Sequence, residues 1–193
     1  MRLRFKLTVG ILFILAGGLL GSNYIIDYIR ESNVSITAAP QIAALKADNK
    51  AAEAQSTAYP TNVTIPSINL SVDVAPGYYD TKTQTWTLND SDAFFATISI
   101  PPNTISGNTY IYGHNRGNVF NPLNKTAIGT IATVKTTDNK TYTYKMSAIH
   151  DVSPNDPSWL LNYRGAPILT LQTCAGFFDQ YRRLFIFDFV SEA

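Results

Sequence analysis

The sequence predicts an all-β domain that closes, or nearly closes, into a barrel behind one apolar membrane segment. Three observations lead there. From Tyr59 onward the chain breaks into short runs rich in Thr, Tyr, Val, Ile and Phe, residues that suit a pleated, half-buried surface. Gly, Pro, Asn and Asp punctuate those runs at close spacing. No strong helical period competes with them over the same stretch, and roughly seven or eight strands at this spacing fit a barrel.

Size and charge bound the rest. The 193 residues hold one membrane segment and one domain of about 100–150 residues. The net charge is +1 and only 15% of residues are charged, so no basic footprint argues for nucleic acid. A single cysteine excludes an intrachain disulfide, and with only His114 and His150 there is no Cys/His zinc spacing. Asp90, Asp92, Asp151 and Asp156 form no dense calcium-loop pattern. No metal and no cofactor is predicted.

In chain order, residues 1–6 are a basic tail with Arg2, Arg4 and Lys6, read as cytoplasmic. Residues 7–26, LTVGILFILAGGLLGSNYII, are uncharged and mostly apolar. As a helix rising roughly 1.5 Å per residue they span about 30 Å, the thickness of a bilayer core. The preceding cations keep the N-terminus cytoplasmic and send the remainder outside. A cleaved signal peptide is the competing reading, but the apolar region is long for one and no clear A-x-A site follows. Residues 27–58 read as a stalk or linker, with good helix formers over 41–55 and little to bury. Residues 59–193 are the folded domain.

Within it, β-prone runs fall at 62–77, 83–88, 96–100, 108–114, 128–137, 140–152, 168–174 and 182–190. Asp138-Asn139 between two alternating runs marks a tight hairpin, and Pro76-Gly77, Asn89-Asp90 and Ser106-Gly107 are further turn signals. In ILTLQTC (168–174), Leu169, Leu171 and Thr173 point to one face and Thr170, Gln172 and Cys174 to the other. A strand with an aliphatic side and a polar side ending in Cys puts the sulfur on the floor of an open groove. The bland alternative is a buried, inert cysteine.

Two other segments carry chemistry. TYIYGHNRG (109–117) runs a strand into Gly113 and presents His114 at its end, where functional groups are usually displayed. A Cys and a His far apart in sequence and joined by the fold are the signature of a thiol nucleophile with a proton carrier. RRLFIFDFV (182–190) opens with two arginines a few residues beyond the sulfur, suited to favouring a thiolate or covering an oxyanion. Neighbours on a strand point to opposite faces, so only one arginine reaches the groove, and the apolar pattern that follows does not choose between them. His150, in an alternating strand, is the lesser candidate base.

GH in YIYGHN, TLQTC followed by an arginine-led strand, and YKMSAIHDVSPND between them together resemble the sortases, membrane-anchored cysteine transpeptidases. The resemblance covers about residues 62–190. It implies an eight-stranded β-barrel with short helical or 3-10 segments, and cleavage of an LPxTG-like sorting signal between Thr and Gly. A thioacyl-enzyme then passes the surface protein to an amine acceptor such as a peptidoglycan precursor. Carried onto this chain, the nucleophile is Cys174, the general acid and base is His114, and the oxyanion-positioning cation is Arg183, whose following residues fit the family pattern. Thr173, Trp159 and Leu160 are expected to line the substrate site, the last two from the segment 153–167, where such a pocket needs apolar walls. A packing role for Thr173, which alternates with Cys174, and a short helical cap over the core for Trp159 and Leu160 are the alternatives. The implied location is the cell membrane, single-pass, with the catalytic domain outside. No second apolar segment follows Val190 and no lid motif precedes the domain, which favours protein anchoring over pilus assembly. A hydrolytic cysteine protease and a non-catalytic surface-binding β-domain are the alternatives.

Overall fold

Alternating burial along strands such as Leu70–Gly77 and Ile131–Thr136 shows how the barrel is built. The computed structural model describes residues 58–193 apart from Gln84 and Asn118. The candidate anchor 7–26 and all of the stalk but Ala58 lie outside the described residues. Among the described residues, no helix is long and apolar enough to cross a membrane.

Ten strands form: β1 (Pro60–Ile65), β2 (Leu70–Gly77), β3 (Tyr79–Asp80), β4 (Thr85–Trp86), β5 (Ala93–Ala96), β6 (Asn108–Tyr112), β7 (Ile131–Thr136), β8 (Thr141–Val152), β9 (Ile168–Ala175) and β10 (Tyr181–Glu192). Eight of them close into a barrel in the order β1-β2-β5-β6-β9-β10-β8-β7, and β3 and β4 pair as a separate small hairpin. The β2–β5 and β6–β9 pairs are parallel and the other barrel pairs antiparallel. Closure leaves no unpaired barrel edge. The interior is filled by one side of each strand, including Val63, Val72, Phe95, Ile111, Val134, Tyr144, Leu169, Leu171, Phe185 and Phe187, all among the buried core. Truncating one of the buried rings, Phe185 or Phe187, costs about 3–5 kcal/mol.

Three sequence runs divide differently from the expectation. The run 62–77 is two antiparallel strands, because Pro66–Ile68 form a 3-10 turn that ends at Asn69 in the left-handed region (φ 53°). The run 96–100 is a turn, with the strand just before it at Ala93–Ala96. Ser99 closes that turn by donating both its N–H and its hydroxyl to the Ala96 carbonyl. The run 83–88 contributes only the short β4, outside the barrel. The hairpin at Asp138-Asn139 forms as expected, with Asn139 at φ 65° and its N–H on the Thr136 carbonyl.

The pairings also set direction. Pro60 at the start of β1 lies beside Thr136, and Thr141 exchanges backbone hydrogen bonds with Ala193. The ends of β6, β8 and β9 and the start of β10 lie at the opposite end of the barrel. The described chain therefore enters and leaves the barrel at the end away from Cys174.

Candidate active site

The outer face of β6, β9, β10 and β8 forms the floor of the site. Odd-numbered β9 residues Leu169, Leu171 and Thr173 point inward and are fully buried, so Thr170, Gln172 and Cys174 point outward. Tyr110 and Tyr112 lie on the same outward side of β6. Tyr110 donates its hydroxyl to Gln172 Oε1 at 2.6 Å. Burial drives the Tyr110 pKa far up and keeps it a donor.

Two walls flank this floor. One is the segment between β8 and β9, containing a single helical turn, α1 (Ser158–Leu161). The Trp159 ring stacks on His150 with centroids 4.9 Å apart, and the Trp159 carbonyl accepts the Asn108 side-chain amide at 2.9 Å. Trp159 and Leu160 are half-buried, while Leu161 is buried beneath them. The segment is thus packed on the outward face of β8 through His150 and tied to β6 through Asn108. The other wall is the β3–β4 hairpin, whose Trp86 meets Tyr112 edge-on at 5.2 Å. Tyr112 is also stacked with Phe94.

The β6–β9 ladder carries the chain at His114 toward the Cys174 end of the barrel. Tyr112 is in register with Gln172. Beyond it the Gly113 N–H donates to the Gln172 carbonyl at 3.1 Å, and Thr173 Oγ1 donates to the Gly113 carbonyl at 2.9 Å. The ladder's last pair is Tyr112 with Gln172; carried two residues further, the same register sets His114 beside Cys174, and neighbouring strands are about 4.8 Å apart. Gly113 is required by packing, since a Cβ there would lie 2.9 Å from Val119 Cγ1. His114 in turn accepts the Phe120 N–H on its carbonyl at 3.1 Å. Its ring is partly exposed, with Nε2 3.9 Å from Asp90 Oδ1.

The arginine assignment changes. Arg182 is directly opposite Cys174 in the antiparallel β9–β10 ladder, and Arg183 is opposite Thr173. Residues opposite each other share a face, so Arg182 shares the outward face with the sulfur. Arg183 makes a bidentate pair with Asp151, both bonds 2.7 Å, on the other side. The expected role of Arg183 at the thiol is therefore not supported by its position. Arg182 Nη1 rests on the carbonyls of Asp179 (3.0 Å) and Tyr181 (3.3 Å). Its other N–H groups make no hydrogen bond to the described residues.

Thr173 also differs from expectation. It is fully buried on the face opposite Cys174, so it anchors the backbone before His114 and does not line the groove. Asp90, unassigned from sequence except as part of a turn, meets both His114 and Arg116.

Cys174 is half-buried. Burial pushes its thiol above the ordinary range, the Arg182 charge opposes that shift, and Asp179 adds to it. The resting sulfur is a thiol that needs a proton acceptor to become nucleophilic. Immediately beyond, Gly176 adopts φ 85°, where a Cβ would lie 2.7 Å from the Tyr181 ring. Among the described residues no group of three or more His, Cys, Asp or Glu is placed to hold a metal ion.

This arrangement of thiol, imidazole and guanidinium on one barrel end coincides with a family match. A family model described as a sortase domain matches residues 63–187. The chain belongs to the sortase family. The sortase barrel resembles solved sortase structures at TM-scores of 0.57. With sortase C1 of Streptococcus agalactiae it shares 26% identity, covering 68% of this chain and 67% of that one. With sortase E1 of Streptomyces coelicolor, solved with a tripeptide in its active site, identity is 24% over 69% and 90% of the two chains (TM-score 0.57). With sortase C1 of Streptococcus suis it is 20% over 68% and 73% (TM-score 0.57). Among curated proteins none matches.

Proposed function

We propose that this sortase is a transpeptidase that cleaves an LPxTG-like sorting signal through a thioacyl-enzyme on Cys174 and passes the bound protein to an amine. The observation that carries the reading is the pairing of Arg182 with Cys174 across the β9–β10 ladder, with the β6 end bringing His114 to the same level.

In the first half-reaction, His114 takes the thiol proton and the sulfur attacks the carbonyl carbon after the signal's Thr. Arg182 stabilises the oxyanion of the tetrahedral intermediate. As the C–N bond breaks, the imidazolium returns its proton to the leaving Gly amine. In the second half-reaction, an acceptor amine attacks the thioester and loses a proton to His114, and the sulfur leaves as thiolate and takes that proton back from the imidazolium. A peptidoglycan-precursor amine is the acceptor this reading assigns. Trp159 and Leu160 form an apolar wall for the Leu and Pro of the signal.

The same reading puts residues 7–26 in the cell membrane with the barrel outside. The basis of that reading is the uncharged apolar run at 7–26 behind Arg2, Arg4 and Lys6.

The test is transfer itself. The intact chain is incubated with a library of labelled sorting-signal peptides and an amine acceptor. Ligated product that requires both Cys174 and the acceptor is expected. Water-only cleavage with no acceptor dependence would make the protein a hydrolytic protease, and the absence of any Cys174-dependent product would remove the catalytic reading.

A further inference from the structure

We propose that Asp90 is a positioning residue for His114, its carboxylate holding the Nε2 edge of the imidazole and leaving Nδ1 as the nitrogen that exchanges a proton with Cys174. This rests on the transpeptidase reading for its catalytic consequence, but the contact itself does not depend on that reading.

Asp90 comes from the β4–β5 connection, an element separate from the one carrying His114. The turn that presents it is built by its neighbours. Asn89 Oδ1 accepts the N–H groups of Ser91 (3.0 Å) and Asp92 (2.8 Å), while Asn89 Nδ2 donates to Asp92 Oδ2 at 2.7 Å. Asn89 and Asp92 thereby engage each other, and the Asp90 carboxylate is the one delivered to the histidine. Its Oδ1 lies 3.9 Å from His114 Nε2 and 3.0 Å from Arg116 Nη1.

Asp90 from the β4–β5 connection faces the ring, and Arg116 from the histidine's own loop shares its carboxylate; Arg182, across from Cys174 on β10, and Asp179 act on the sulfur. Among the described residues, Asp90 is the one carboxylate in contact with the ring. When His114 takes the thiol proton it becomes a cation, and the carboxylate already aimed at Nε2 closes from 3.9 Å to hydrogen-bond distance. Such contacts are commonly long in unliganded sites and tighten in the reacting complex. A hydrogen bond at one ring nitrogen fixes which tautomer the other presents. Arg116 competes for the same carboxylate oxygen and moderates its hold on the ring.

The test uses the full chain with Asp90→Asn, Asp90→Glu and Arg116→Gln. Asp90 is three-quarters exposed, so these changes do not threaten the core. The first readout needs no substrate. It is the ¹⁵N NMR signature of the ring nitrogens, with His150 as internal reference because the chain has only two histidines. Asp90→Asn is expected to lower the Nε2–H form of His114 without moving His150. Asp90→Glu should restore it in part, and Arg116→Gln should move it the opposite way.

The second readout is peptide transfer, where Asp90→Asn should lower kcat about 2- to 5-fold with KM unchanged, the size of a solvent-exposed charge contact. Unmoved His114 nitrogens overturn the proposal whatever the kinetics show. Moved nitrogens with unchanged kcat, in a protein whose wild type transfers, overturn the positioning role. Moved nitrogens in a protein whose wild type transfers nothing leave the contact standing and remove the transpeptidase reading instead.

Discussion

Arg182 lies directly across the β9–β10 ladder from Cys174, while the adjacent Arg183 is turned to the other face and bound to Asp151 by two hydrogen bonds of 2.7 Å. Two neighbouring cations thus lie on different faces, one opposite the sulfur and one in an ion pair that ties β10 to β8.

That division predicts opposite phenotypes. Arg182→Ala should lower kcat for peptide transfer by ~10²–10³-fold, the usual cost of losing an oxyanion donor. Arg183→Ala should keep transfer within a few-fold of wild type. Steady-state kinetics of the two variants decide it, and a larger loss from Arg183→Ala would reverse the assignment.

Asp151 carries a pH signature. The Arg183 guanidinium holds its carboxyl below the ordinary range. Because the folded pKa is depressed, the stabilisation is present above the unfolded value of about 4 and is lost as pH falls through the folded value. Both partners are about one-third exposed, so the pair contributes only about 0.5–1 kcal/mol. Denaturant titrations should show Asp151→Asn less stable than wild type by that amount at pH 6, with the gap closing under more acidic conditions.

The thiol should respond to its two charged neighbours in opposite senses. Burial raises the Cys174 pKa, Arg182 lowers it and Asp179 raises it. Alkylation should therefore be slow at neutral pH and accelerate as pH rises. Arg182→Gln should shift the alkylation profile to higher pH and Asp179→Asn to lower pH. Iodoacetamide rates across pH measure both shifts.

Thr173 acts through the backbone of the histidine strand. Thr173→Val keeps the volume but strips the buried Gly113 carbonyl of its 2.9 Å hydrogen bond, at a cost of about 1–3 kcal/mol. Transfer should fall, and Thr173→Ser should restore both stability and rate. Thermal unfolding and kinetics on the same two variants test the link.

Much of this was legible before the structure. The 168–174 alternation separated Leu169 and Leu171 from Cys174 correctly, because a period of two leaves no other option once the strand is half-buried. The end-of-strand position of His114 was visible in the Gly-His step. Which arginine shares the face of Cys174 is not legible from residues 184–187, because they are apolar on both faces, the mark of a strand buried inside and covered outside. One signal remained available. Asp188, on the same face as Arg182, is exposed and accepts a hydrogen bond from Ser147. It marks the even-numbered side of β10 as the outward one, the side that Cys174 occupies on β9. Thr173 was misplaced for a related reason, since adjacency in a motif is not adjacency in space across a strand. Asp90 reaches His114 through the folding of an irregular loop that no periodicity encodes.

The most direct test of the central claim is the intact mass of the full chain after exposure to a sorting-signal peptide with no amine acceptor present. The account predicts a mass gain equal to the acyl fragment ending at Thr (the fragment acid less one water), mapped to Cys174, reversed by adding an acceptor amine and absent in Cys174→Ala. A reactive, folded protein that cleaves or transfers such peptides without ever carrying that adduct on Cys174 would contradict it.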